Sequence, residues 1–145
     1  QVSPVAEKLL SVTEESLMLA VPECRIGNRI GDIGHAVQQY VEAAGMSVVR
    51  QLVGHGVGRD MHEDPQIPNY GHAGAGITLE EGMVFAIEPM VTAGRHGIRV
   101  ASDQWSIFSQ DDSLAAHFEF TIAITADGPR VLTPWHEAKT AVAAA

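Results

Sequence analysis

A single cysteine, Cys24, stands among 145 residues. It rules out an internal disulfide framework and any cysteine-based zinc cluster, and it suits a reducing compartment. Basic residues are scarce as well: nine Lys and Arg face eighteen Asp and Glu, for a formal charge of −9. With no basic face to neutralise a row of phosphates, neither nucleic acid nor an anionic membrane surface is an expected partner. No run approaches the roughly 18–20 apolar residues of a membrane helix. No basic stretch leads into an apolar core as in a signal peptide. The initiating methionine is lacking too, so the chain is expected to begin inside a longer product. What remains is a globular composition, 46% hydrophobic and 19% charged, long enough to bury one core.

The chain reads as helices first and antiparallel strands after, an α+β domain. Good helix formers run from Val5 to Ala20, with Thr13, Glu14 and Glu15 expected to face solvent. Pro22, Gly27 and Gly31 mark a loop. Ile33, Val37, Tyr40, Val41 and Ala44 recur at helical spacing from Asp32 to Ala44, with Asp32 as cap and Gly45 as the left-handed stop. Met46 to Val53 reads as a strand, and a glycine-rich stretch from Gly54 to Glu81 as irregular. Met83 to Ile87 and Phe118 to Thr125 read as strands joined by a polar connection around Arg95 to Ser113. Asp127-Gly128 turns a hairpin whose return strand is Arg130 to Leu132. Residues 136–145 are expected to form a disordered tail.

Two glutamates have unusual neighbours. Glu88 follows the alternating Met83–Ile87 run and shares a face with Val84 and Ala86; Glu119 lies opposite Phe118, Phe120, Ile122 and Ile124. Either alone fits a solvated strand end equally well. Two carboxylates on adjacent strands repel, however, unless a cation lies between them. His55, flanked by Gly54 and Gly56, can approach a ligand without interference from neighbouring side chains. His62, seven residues on, can reach the same cavity. The other histidines, 35, 72, 96, 117 and 136, read as surface polar groups. The glycines match neither dinucleotide nor phosphate-loop spacing. One imidazole and two carboxylates suit Zn, Mn, Fe or Co, and an ion there supports metal-dependent hydrolysis.

At these residues the chain resembles the type I methionine aminopeptidases. The likeness lies in Gly54–Arg59, His62–Pro65 with Pro68–Gly71, Gly82–Met90, Trp105, the Phe118-Glu119 strand and Arg29–His35, and covers about Leu9 to Thr133. It implies the C-terminal half of a pita-bread (creatinase/aminopeptidase-like) fold over residues 1–135, with helices on an antiparallel sheet. It implies hydrolytic removal of N-terminal methionine from peptides and nascent proteins in the cytoplasm, in proximity to the ribosome. His55, Glu88 and Glu119 match three metal ligands, and Glu88 also matches the group that handles the proton of the attacking water. His62 matches a contact to the scissile peptide, while Met61 and Trp105 match the methionine pocket.

Three departures accompany the likeness. The family holds two divalent ions (Co, Mn, Fe or Zn) with two further aspartates from a preceding hairpin, which this chain is expected to lack. At most one ion is then well held and activity is impaired, while the exposed half-sheet invites association. Phe120 stands where histidine is usual, which is expected to alter the surroundings of the metal, and Gln104 where glycine precedes Trp105. The alternative is a non-catalytic binding module of the same fold; a proline-directed dipeptidase fits the His-Glu-Asp-Pro loop less well.

Overall fold

The computed structural model describes residues 2–137. Helix α1 (Pro4–Ala20) opens on Ser3, whose hydroxyl accepts from the Ala6 N–H at 3.2 Å, with proline at the first turn where no donor is needed. Thr13, expected at the surface, is buried: its hydroxyl donates to the Leu9 carbonyl at 2.6 Å, so the hydroxyl is satisfied inside the helix. A 3-10 turn over Val21–Glu23 leads to α2 (Ile30–Ala43).

Helix α2 starts two residues earlier than the spacing predicts. Arg29 is the N-cap, and Asp32 sits one turn inside, its carboxylate accepting from the Arg29 N–H at 2.7 Å. Asp32 also accepts from the Gly74 N–H at 2.6 Å, which ties the helix start to a distant loop and holds this carboxyl below its usual range. The helix ends as read: Gly45 has φ of 78°, the Gly45 N–H reaches the Glu42 carbonyl and the Met46 N–H reaches that of Val41.

The strands are β1 (Ser47–Val48), β2 (Gly54–Gly56), β3 (Glu63–Ile67), β4 (Val84–Ile87), β5 (Met90–Thr92), β6 (Ile98–Val100), β7 (Ile107–Ser109), β8 (Ala115–His117), β9 (Phe120–Thr125) and β10 (Gly128–Val131). All pair antiparallel, in a five-stranded sheet β10-β9-β4-β2-β3, a three-stranded sheet β1-β5-β8 and the hairpin β6-β7. The hairpin signalled by Asp127-Gly128 is β9-β10. Three expectations are corrected. Of the strand expected over Met46–Val53 only Ser47–Val48 pairs, as β1; β2 begins after that range, at Gly54, in a different sheet. The stretch expected to be irregular from Gly54 to Glu81 contains β2 and β3, and the polar connection contains β6-β7. β2 and β3 are glycine-rich or charged and carry little apolar alternation, and β6 and β7 are only three residues each, so periodicity does not register them.

One hydrophobic cluster unites Leu17 of α1 and Ile33, Val37 and Val41 of α2 with Phe85, Ile87, Phe120, Ile122 and Ile124 of the large sheet. Along β9 the residues at 120, 122 and 124 are buried and those between them half-buried, the alternation of a strand with one face on a core. Residues 135–137 form a helical turn in which Trp135 stacks on Phe120. The remainder of the expected tail, residues 138–145, lies outside the described residues.

Candidate metal centre

The centre forms where the two larger sheets adjoin. Glu88 lies between β4 and β5, so each neighbouring strand belongs to a different sheet. Asn69, buried in the loop after β3, donates to the Glu88 carbonyl at 3.0 Å and fixes the backbone there. The Glu88 side chain is 17% exposed. Burial, reinforced by the charge of Glu119 and partly offset by His55, pushes its carboxyl up to about 6.

His55 comes from β2, paired with Ala86 of β4 on one side and Gln66 of β3 on the other. A shift of register between His55 and Gly56 kinks the strand beside the site. His55 Nδ1 lies 2.9 Å from the Gly56 carbonyl oxygen. The carbonyl can only accept, so Nδ1 carries a proton, and in the neutral form of the ring Nε2 keeps the lone pair. That Nε2 lies 3.6 Å from Glu88 Oε1. A lone pair facing a carboxylate oxygen at this separation is repulsive until a proton or a cation stands between them. His62 packs on His55 with ring centroids 4.2 Å apart, and both line a cavity with Glu63, Asp64 and Gln66.

The two glycines beside His55 also serve the strands. A Cβ at Gly54 would meet the Ala86 carbonyl oxygen at 2.3 Å, and one at Gly56 the Asp64 oxygen at 2.3 Å. They let three backbones close around the imidazole. This close packing is a second role for them, beside keeping neighbouring side chains away from the ring.

Glu119, half exposed, directs its carboxylate to the same place from the short link between β8 and β9. Trp135 Nε1 donates to its carbonyl at 2.8 Å. His117, read as a surface histidine, is the residue the sequence reading missed. Its Nε2 lies 3.6 Å from Glu88 Oε2 and 3.9 Å from Glu119 Oε2. Donor atoms of Glu88, His117 and Glu119 fall within 4.8 Å of one another. His55, 3.6 Å from the other carboxylate oxygen of Glu88, falls outside that set. The missed signal is parity: His117 and Glu119 are two residues apart, as are Glu119 and Thr121, so one extended face carries all three. An imidazole, two carboxylates and a second imidazole near one of them fit a divalent ion of borderline character.

Of the remaining expected site residues, Met61 is 74% and Trp105 87% exposed, and neither lines the cavity of His55 and His62. Asp103 shapes the Trp105 turn, accepting from the Trp105 and Ser106 N–H groups at 3.0 and 2.9 Å and from the Ser106 hydroxyl at 2.6 Å. Gln104 has φ of 58°, a left-handed position that glycine fills without strain. Phe120 points away from the centre, into the core.

The sequence profile of metallopeptidase family M24 matches residues 1–126. This chain belongs to metallopeptidase family M24. Among curated proteins the M24 chain is 51% identical over 133 residues to a methionine aminopeptidase of Clostridium acetobutylicum, covering 92% of this chain and 53% of that protein. It is 53% identical over 127 residues to methionine aminopeptidase 1 of Bacillus subtilis, covering 88% of this chain and 51% of that one. The crystal structure of methionine aminopeptidase from Rickettsia prowazekii superposes with a TM-score of 0.89 at 42% identity, over 92% of this chain and 54% of that chain. A prolidase from Thermococcus sibiricus, 22% identical with a TM-score of 0.69 over 92% of this chain and 31% of that chain, shares the fold. The architecture is thus the pita-bread fold over about half the length of the full-length structures. The M24 chain likewise spans about half the length of the curated relatives it matches.

Proposed function

We propose that this chain carries one side of a metal-dependent aminopeptidase centre that removes N-terminal methionine from peptides and nascent proteins. The observation that supports the reading best is Glu88 held against the Nε2 lone pair of His55, with Glu119 beside it, in a chain about half identical to methionine aminopeptidases. His55, Glu88 and Glu119 would hold the divalent ion, which supplies Lewis acidity toward the peptide carbonyl and activates water. Glu88 takes the proton that the attacking water gives up. His62, packed on His55 and bordering the same cavity, contacts the scissile peptide. Met61 and Trp105 offer a thioether and an indole to the methionine side chain.

Charge sets the limit on this chain alone. The two carboxylates at the centre bring −2, and no aspartate belongs to the set among the described residues. Two dications bring +4, so one ion is well held and turnover is low. Substrates that are nascent chains place the activity in the cytoplasm, near ribosomes. Among the described residues no helix is long and apolar enough to cross a membrane.

The test is to incubate the chain with Mn or Co and a peptide beginning Met-Gly, measuring bound metal and released methionine. At most one tightly bound ion with slow release is expected. Two tight ions with rapid release would overturn the charge argument. One tight ion with no release at all would favour a binding module of the same fold.

A further inference from the structure

We propose that His117 is itself a metal ligand in this chain, forming with Glu88 and Glu119 a three-donor cradle that His55 adjoins through the other carboxylate oxygen of Glu88. The inference rests on the metal-centre reading above and adds a donor that the family resemblance does not assign.

Geometry carries it first. The distances from His117 Nε2 to the two carboxylate oxygens, 3.6 and 3.9 Å, exceed hydrogen-bonding range. They approach the spacing of donors around a shared ion. Ligands at about 2.0–2.2 Å from a tetrahedral cation lie about 3.4 Å from one another. The backbone holds that spacing: His117 is the register partner of Met90 across β8-β5, and the Phe118 N–H reaches the Pro89 carbonyl at 3.4 Å. The strand pair therefore fixes His117 two residues from Glu88 across the ladder and two residues from Glu119 along the chain.

Charge carries it second. Among the described residues neither Glu88 nor Glu119 pairs with Lys or Arg; their nearest cationic candidates are His55 and His117. Two carboxylates and an imidazole converging without a hydrogen bond between them form a site whose unmet partner is positive. Approach is open. His117 and Glu119 line a cavity of about 470 Å³ with Phe118, Thr133 and Trp135, and His117 also borders a second of about 310 Å³ between β5 and the β6-β7 hairpin.

The arrangement gives Glu88 two imidazole-facing oxygens, Oε1 toward His55 and Oε2 toward His117. A borderline ion such as Zn or Co, which accepts imidazole and carboxylate together, is the expected occupant.

The experiment titrates Zn into the unmutated chain and into His117→Gln, His55→Ala, Glu88→Gln and Glu119→Gln, reading bound metal by equilibrium dialysis and the histidine ring nitrogens by NMR. His117 is half exposed, so His117→Gln is expected to unfold at the unmutated temperature. It should lose at least about tenfold in affinity, the lower bound for removing even an outer partner of a bound metal. In the unmutated chain the His117 Nε2 resonance should shift with stoichiometric Zn. Unchanged affinity in His117→Gln with an unmoved His117 ring, while Glu88→Gln loses the ion, would overturn the proposal and leave the metal-centre reading standing. Loss confined to His55→Ala and Glu88→Gln would do the same. Failure of the unmutated chain to bind Zn would overturn both, whatever the peptide assay shows.

Discussion

Asn69 donates from Nδ2 to the carbonyl oxygen of Glu88 at 3.0 Å, and Asn69 is only 2% exposed. The bond links a helix to the centre through a loop. A Cβ at Gly34 of α2 would meet the Tyr70 and Pro68 carbonyl oxygens at 2.5 and 2.6 Å, so the helix seats the Pro68–Tyr70 backbone directly. Asn69 then reaches from that seated loop to the residue whose carboxylate faces both imidazoles. Asn69→Ala leaves the Glu88 carbonyl without this donor, at a cost of about 1–3 kcal/mol. Urea unfolding should read that loss, and Zn affinity should fall with it. Unchanged values for both would remove Asn69 from the support of Glu88.

The glycine before His55 makes a sharper case. A Cβ at Gly54 meets two carbonyl oxygens, that of Ala86 at 2.3 Å and that of Ile67 at 3.1 Å. Both are backbone and cannot swing aside. Gly54→Ala should therefore destabilise by about 1–3 kcal/mol and displace His55, lowering Zn affinity even where the chain stays folded. Gly45→Ala, strained by its φ of 78° but with no atom within 4 Å of a Cβ, should cost stability and leave metal affinity alone. Equal effects of the two on the metal would refute the steric reading.

These residues also show what was legible in the sequence. Glu88 and Glu119 could be found because each interrupts an apolar alternation, and a carboxylate there needs a reason. α2 could be bounded at its end, since only glycine stops a helix left-handed without strain. Its start could not: Asp32 binds the Arg29 N–H from inside the helix, and cap and capping-box positions share the same residue types. β3 and β6-β7 were hidden because most of their residues are polar or exposed, so pairing partners more than burial define them. His117 was hidden for another reason. Parity with Glu119 gives only its face; its closeness to Glu88 depends on the ladder between β5 and β8, a contact that no local pattern encodes. The family likeness carried His55 across and had no place for His117.

Phe120 tests how the core supports the centre. It is fully buried, stacked on Trp135 at 5.0 Å, and Trp135 in turn donates to the Glu119 carbonyl. Phe120→Ala should cost about 3–5 kcal/mol through the cavity it opens. Phe120→His keeps a ring but buries its nitrogens in the core, and should also destabilise. It should not improve metal binding, because the side chain at 120 faces away from the two carboxylates. Tighter Zn binding by Phe120→His would contradict that orientation.

Cys24 supplies a dependence on pH away from the metal. The thiol is fully buried, and burial together with the Glu23 charge pushes it from 9.0 up to about 12. Between those values the unfolded chain releases a proton that the folded chain keeps. The contribution is therefore whole below pH 9 and is lost as the pH climbs toward 12. The unmutated chain should lose stability over that window more steeply than Cys24→Ala. At pH 8 the thiol should react with a disulfide reagent only as fast as the chain opens. Rapid labelling of the folded chain would overturn the burial.

Trp105 separates binding from folding. Its ring is 87% exposed, while the turn beneath it is held by Asp103 through three hydrogen bonds that do not involve the indole. Trp105→Ala should therefore unfold within about 0.5 kcal/mol of the unmutated chain. If the indole covers a methionine side chain, the same substitution should weaken binding of a peptide beginning with methionine several-fold. It should leave a peptide beginning with glycine unaffected, since that peptide has no side chain for the ring to cover. Equal affinity of Trp105→Ala and the unmutated chain for the methionine peptide would exclude Trp105 from the pocket, and the turn at Asp103 would then be only a connection between β6 and β7.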